Sequence, residues 1–457
     1  MSWLTVAACN GGTSPPARAE NPGDAESPRA VEPAADLVDV NDVSILFAPR
    51  GGRPFPEISV EEGEQGGLWR AQDFDALMAF AQNGLPGVPG SNPEVAPGGR
   101  AAERADWRIV AARFDPCAPA LAVRDPSPGL TAKLTEFGVP AACLVQFRLV
   151  AQPFQGNRDV DFAAHLVFTL PSTDGVLPLL RAVKRASEAA GAPTDGVPLG
   201  VHPGLAAGST AVATAVRQLV LQLPAQSVAR TSALMGLRAG PEPWVFLGGR
   251  MEAKPEGGFE AFSPLPIFSF GVAGGVFHQR LSFKPGDPRH VIPEPQQPIR
   301  TSPLFDDDST DANLVFHVDD PARSNIFETD CVSCHTSTAR IYALDLDSTS
   351  ERVPTPVGVT AYAPRSVLQA SGETGRPPHW NVRNFGWFQG HPTISLRTVN
   401  ETAEAVQLVN LEMVSEAENP ERRHGPGPDC SAVDEATWTC FVKTGGSDCL
   451  DACVAAP

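Results

Sequence analysis

Residues 160–190 read VDFAAHLVFTLPSTDGVLPLLRAVKRASEAA. The first eleven are apolar or β-branched almost throughout, at the length of a strand with buried faces. Ser172, Thr173, Asp174 and Gly175 then supply turn chemistry. Residues 178–190 follow with helical spacing, Leu180, Val183 and Ala190 near one face, Pro178 in the first turn and Gly191 just past the end. A strand that turns directly into an amphipathic helix is the local pattern of a mixed fold. His165 stands alone among the apolar residues of the strand and reads as a core histidine.

Outward from this stretch, strands are predicted at 43–47, 107–114, 143–150, 267–270, 276–283 and 290–292, and a paired set at 232–237 and 244–247 around RAGPEP. A short helix is predicted at 72–83, and 211–223 is ambiguous between helix and strand. No internal repeat occurs at a fixed period. Residues 38–304 therefore read as a strand-rich α+β unit.

The chain has 457 residues, a prior of about three domains. Its 46 prolines and 41 glycines imply many loops. A net charge of -18 excludes a generic nucleic-acid binder and disfavours adhesion to anionic lipid. No apolar run reaches the roughly 18 residues of a membrane span. Motifs of zinc peptidases, serine hydrolases, phosphate-binding loops and dinucleotide-binding folds are missing, so no hydrolase or transferase is expected. The acidic stretch at 306–320 lacks the Gly and Glu of a calcium loop and reads as a solvated linker.

Nine cysteines fall into groups: Cys9 alone, Cys117 with Cys143, Cys331 with Cys334, and Cys430, Cys440, Cys449 and Cys453 near the end. Even-numbered clusters suit an oxidising compartment. Cys117 and Cys143 flank strands and are expected to bond to each other. The last four allow three pairings.

Cys331-Val332-Ser333-Cys334-His335 is CxxCH, for which composition alone expects about 0.003 occurrences. Two thiols at this spacing meet the two vinyl groups of one haem edge, and the histidine then offers a nitrogen to the iron. Haem attachment is the leading reading, ahead of a structural disulfide, a redox pair and half of a zinc site. Residues 310–413 resemble a c-type cytochrome domain on this motif, on His391-Pro392 placed 56 residues after His335, and on a helix at 399–413. That helix opens at Thr398-x-x-Glu401, a capping box, and carries Val399, Ala403, Val406, Val409 and Met413 as its apolar stripe. The resemblance implies one covalent haem c held by Cys331 and Cys334, with His335 as proximal ligand. His391 stands where the family usually has methionine, which implies bis-histidine ligation. His379 and Met413 are the other candidates for the sixth position, and Met413 fits the core better.

Val6-Ala7-Ala8-Cys9 resembles the bacterial lipobox, in which the cysteine is lipidated. The eight residues before Cys9 are shorter than an export signal, so a start further upstream is expected. Residues 10–37 have the composition of a disordered tether. The layout is similar to large bacterial envelope lipoproteins that carry one CxxCH near the carboxyl end.

The expected organisation is thus a lipobox-like start and tether over 1–37, the α+β unit over 38–304, a small mainly helical cytochrome c-like haem domain over 305–413, and an acidic cysteine-rich tail over 414–457. The function expected is an extracytoplasmic monohaem electron carrier that meets the membrane only through its lipid, binds a redox partner protein and no nucleic acid, and does no substrate chemistry. The alternatives are a non-catalytic envelope lipoprotein whose CxxC is a disulfide, and a peroxidase-like haem enzyme with an open iron.

Overall fold

A computed structural model of the chain describes residues 37–82, 99–118, 144–236, 335, 384–388 and 390–418, with four further strand segments between 245 and 281. Cys9, Cys143, Cys331, Cys334, His379, the acidic stretch at 306–320, the strand expected at 290–292 and the last four cysteines lie outside the described residues.

The fold is α+β, built on a large antiparallel sheet. Its strands, in spatial order, are β1 (Ser44–Leu46), β4 (Trp107–Ala118), β5 (Leu144–Gln155), β7 (Phe162–Leu170), β8 (Ala229–Gly236), β9 (Val245–Glu252) and β10 (Ser263–Leu265), with short β6 (Arg158–Asp159) paired to β5. Hairpins are made by β2 (Ala48–Arg50) with β3 (Arg53–Phe55), β11 (Ile267–Val272) with β12 (Val276–Leu281), and β13 (Phe385–Phe388) with β14 (His391–Ile394). The pair expected around RAGPEP and the strands expected at 267–270 and 276–283 are therefore present, the latter two paired with each other.

Because side chains alternate across a strand, the register sorts the central strands into two faces. Phe147, Leu149, Leu166 and Phe168 share one face, and Arg113, Arg148, Val150, His165 and Val167 share the other. Both faces are covered. Helix α3 (Leu177–Ala189) and helix α5 (Thr210–Ala225), with the single turn α4 (Pro203–Ala206) between them in the chain, pack together on the first face. Leu177, Leu180, Val183, Lys184 and Ser187 are the buried side of α3. Ala190, expected on that side, is exposed, and the chain turns out of the helix at Gly191 with φ +69°. The ambiguous 211–223 is helix α5: the Ser209 side chain accepts from the Val212 amide at 3.3 Å, and Val212, Val216, Leu219, Val220 and Leu223 line one buried stripe.

Helix α2 (Ala71–Gln82) is where it was expected. Trp69, Phe74 and Trp107 meet edge to face beside it, with centroids 4.9 and 5.2 Å from Trp69. The strand expected at 43–47 begins one residue later. Residues 40–43 form a single helical turn, α1 (Val40–Val43), because Asp39 accepts from the Val40 amide at 2.6 Å while Asp42 accepts from the Asp39 amide at 2.8 Å. Between them α1, β13 and helix α6 (Leu396–Glu418) cover the second face of the sheet near β4 and β5.

Helix α6 matches the expected 399–413 but starts earlier. Its cap is Ser395, whose hydroxyl accepts from the Thr398 amide at 3.2 Å, so Thr398 sits inside the first turn and Glu401 serves an ion-pair network instead of a capping box. Val399, Ala403, Val406, Val409 and Met413 are all buried, and Met413 is a core residue. Sequence assigns this helix to a unit beginning at 305. In the structure it shares one core with 38–236. Side-chain amides pin the junction. Gln152 donates to the Trp387 carbonyl at 2.9 Å and accepts from its amide at 2.7 Å, as a neighbouring strand would. Asn410 does the same for Val38, at 2.9 and 2.8 Å.

Cys117, at the end of β4, is in a disulfide. The register sets Ala118 opposite Leu144, the residue after Cys143. Pairing of Cys117 with Cys143 closes a loop of about 25 residues, and its removal by Cys117→Ser with Cys143→Ser is expected to lower the unfolding free energy by about 3 kcal/mol in urea titrations. A non-reduced peptide map that links Cys117 to the 430–453 group overturns the pairing.

Candidate functional site

His335 is buried, and two described residues beside it come from distant parts of the chain. The amide of Asn384 lies 3.2 Å from its Nε2. The ring of His165 lies 6.5 Å away between centroids, with the planes at 88°. An amide nitrogen donates, so Nε2 presents a lone pair and the neutral ring carries its proton on Nδ1. That tautomer is the one that binds a metal through Nε2.

Each partner is held firmly. His165 sits in the middle of β7, paired to Val150 of β5 on one side and Ala233 of β8 on the other. Asn384 precedes β13 and has φ +53°, a left-handed conformation that asparagine tolerates better than most residues. Its carbonyl accepts from the Ser395 amide at 2.7 Å and the Thr398 hydroxyl at 3.2 Å. The strained turn is thereby locked to the start of α6, and the Asn384 side chain is aimed at His335. Its Oδ1 is buried without a hydrogen-bond partner. A non-glycine residue held in this region beside a buried histidine is a local cost of the kind that collects at functional sites.

An ion-pair network lies on the same face, one same-side position along from His165. Glu401 of α6 bonds Arg113, pairs with Arg397 at 2.7 Å and approaches Arg148 at 3.9 Å. Asp115 bridges Arg113 and Arg148 at 3.1 and 3.2 Å. Burial works to raise the Glu401 carboxyl, but Arg113, then Arg397 and Arg148, overcome it and hold it well below the ordinary carboxylate range. Burial lowers Arg148, and neighbouring Arg113 lowers it further. The network joins α6 to β4 and β5.

The expected site residues are thus placed unevenly. His335 is brought to the sheet. His391 is not brought to it: it is exposed, opposite Phe388 beside the turn of the β13–β14 hairpin, four residues along the strand from Asn384, or about 13 Å. Met413 is in the core. His165, read as a core histidine, is the residue that faces His335; only the long-range pairing of 335 with β7 reveals it, and no local pattern carries that signal. Asn384 was not foreseen, although an asparagine at a tight turn is the usual mark of a left-handed residue. Among the described residues no group of three or more His, Cys, Asp or Glu is gathered around one point, and no helix is long and apolar enough to cross a membrane. A haem iron takes one or two protein ligands, and the imidazole of His335 fits that demand if its Nε2 exchanges the Asn384 amide for the metal.

No protein-family model matches the chain, and neither curated proteins nor solved structures show a significant likeness to it.

Proposed function

We propose that the protein is an extracytoplasmic, lipid-tethered c-type haem protein that carries electrons. The observation that carries this reading is the histidine of CxxCH buried against the sheet with its Nε2 lone pair oriented by Asn384. Cys331 and Cys334 would hold the macrocycle by thioethers and His335 would bind the iron. The bound group would supply one-electron redox chemistry at a potential tuned by burial and axial ligation. The chain's own contribution is positional. β7, Asn384 and the first turn of α6 fix the ring of His335, and the covered second face limits water. Cys9 would carry the lipid, with 10–37 as tether, on the envelope side of an oxidising compartment. The disulfide at Cys117 accords with that compartment. The partner would be another redox protein.

A second reading has one observation in its favour. Asn384 already satisfies His335 Nε2 without iron, as it would in an envelope lipoprotein whose CxxC is a structural disulfide. Haem staining of denaturing gels separates the two, because thioether bonds survive unfolding. Protein made with haem-attachment machinery is expected to stain, and the Cys331→Ser/Cys334→Ser variant to lose the stain entirely. His335→Ala is expected to disturb the iron spectrum. Matured, folded wild type without covalent haem refutes electron transfer and leaves the disulfide-stapled protein.

A further inference from the structure

We propose that His165 of β7, and not His391, is the second axial ligand of the iron carried at Cys331–His335. The assignment rests on the haem reading above and names a residue that CxxCH does not contain.

Three observations point to it. The first is separation. Two imidazoles on opposite sides of one iron stand about 6 Å apart between centroids, given metal–nitrogen bonds of about 2 Å on each side and the radius of each ring. His165 and His335 are at 6.5 Å, and the Asn384 amide 3.2 Å from His335 Nε2 occupies the lone pair that the iron would take and would have to give it up. The 88° between their planes is compatible, since each ligand plane contains the iron–nitrogen axis and is free to rotate about it.

The second is the platform around His165. Its same-face neighbours along β7 are Ala163 and Val167, and across the sheet they are Val150 and Ala233. All four are small and apolar. An imidazole rising from a patch of small apolar residues, bounded on β5 by Arg148 and Gln152, matches the face of a macrocycle, which needs a central ligand and an apolar floor. The third is rigidity. A ligand in a central strand, paired on both sides, is fixed better than one beside a hairpin turn. His391 is exposed at such a turn and about 13 Å along the strand from Asn384, which itself touches His335. Met235, opposite Ala163 in the register, is the competing sulfur on the same face.

The test uses full-length protein matured with covalent haem. The ferric wild type is expected to be six-coordinate and low-spin, with no long-wavelength sulfur–iron band. His165→Ala is expected to lose the low-spin spectrum and to regain it on adding imidazole, whereas His391→Ala keeps the wild-type spectrum. A high-spin wild type, a sulfur–iron band in the wild type, an unchanged low-spin spectrum in His165→Ala, or loss of it in His391→Ala each overturns the assignment. Should far-UV circular dichroism show that His165→Ala does not fold, His165→Met decides: a sulfur–iron band appears only if position 165 binds the iron. Wild type that carries no haem refutes the underlying reading instead, so the two failures are distinguishable.

Discussion

Glu401→Ala is expected to cost about 3 kcal/mol of stability, because it removes the central acid from a largely buried network and leaves Arg113 and Arg148 to share Asp115. Glu401 is the only acid that reaches Arg113, Arg148 and Arg397 together in the described residues. Asp115 reaches two of them. Glu401→Gln keeps an acceptor and should cost less. Urea unfolding at neutral pH measures both. A loss under about 1 kcal/mol in Glu401→Ala would mean that the network does not hold α6 to the sheet. Arg113→Met combined with Glu401→Leu should recover much of the loss, since a hydrophobic replacement of both partners spares the unpaired charge.

The same group sets the acid limit. The Glu401 pKa is depressed on folding, so its contribution is present above the ordinary carboxylate value of about 4.3 and is lost as pH falls below it. Asp42 acts in the opposite sense. Burial, its largest influence, pushes it up to about 6 against the hydrogen bonds from the Asp39 amide and Thr194. Its contribution is full below the unfolded value and is lost as pH rises through about 6. His202, which burial lowers to about 4, gains stability as pH rises over much of the same range, so Asp42 is read as a difference: Asp42→Asn is expected to gain on the wild type as pH rises from about 4 through about 6 and to leave the acid limb unchanged. Parallel profiles for the two proteins over that range contradict the Asp42 assignment.

Trp107→Ala is expected to cost about 3–5 kcal/mol, the range for deleting a large aromatic from a closed core. Trp107 is fully buried, packs edge to face on Trp69 and Phe74, and donates its indole N–H to the Ala101 carbonyl at 3.1 Å. It also opens β4, the strand that joins β1 to β5. Trp107→Phe fills part of the space but strands the Ala101 carbonyl, and an intermediate loss is expected. The midpoint and slope of chemical denaturation read the effect, and a change in Trp107→Ala below about 1 kcal/mol would show that this cluster is not part of the cooperative core.

What was legible in the sequence follows from range. Helix α3, helix α6 and strands β4, β5 and β7 announce themselves through periodicity that a window of a dozen residues captures. Even so, the stripe of α3 was misread at one position: Ser187, not Ala190, faces inward, because its hydroxyl is satisfied by the Ala192 carbonyl. The turn at Val40–Val43 was hidden by its valines, which look like a strand until the two aspartates are seen to cap it. Long-range placement left no local trace. Nothing in residues 384–413 says that Gln152 will pair with Trp387, or that Ser44 will meet Thr402 at 2.7 Å. The candidate site was half legible. CxxCH singles out His335 by spacing, while His165 and Asn384 are joined to it only by the folded topology.

The covering of the second sheet face by the far end of the chain has a consequence for biosynthesis. A ribosome delivers Gly236 well before Asn384, and at roughly 5–20 residues per second the interval is on the order of ten seconds. During that interval the strand face bearing Arg113, Arg148 and His165 lacks the cover that β13 and α6 give it. Residues 331–335 emerge inside this window, ahead of the segment that buries His335. Truncation before Ser395 should leave a nascent product that is recognised as incomplete by quality-control proteases, however sound its first two hundred residues are.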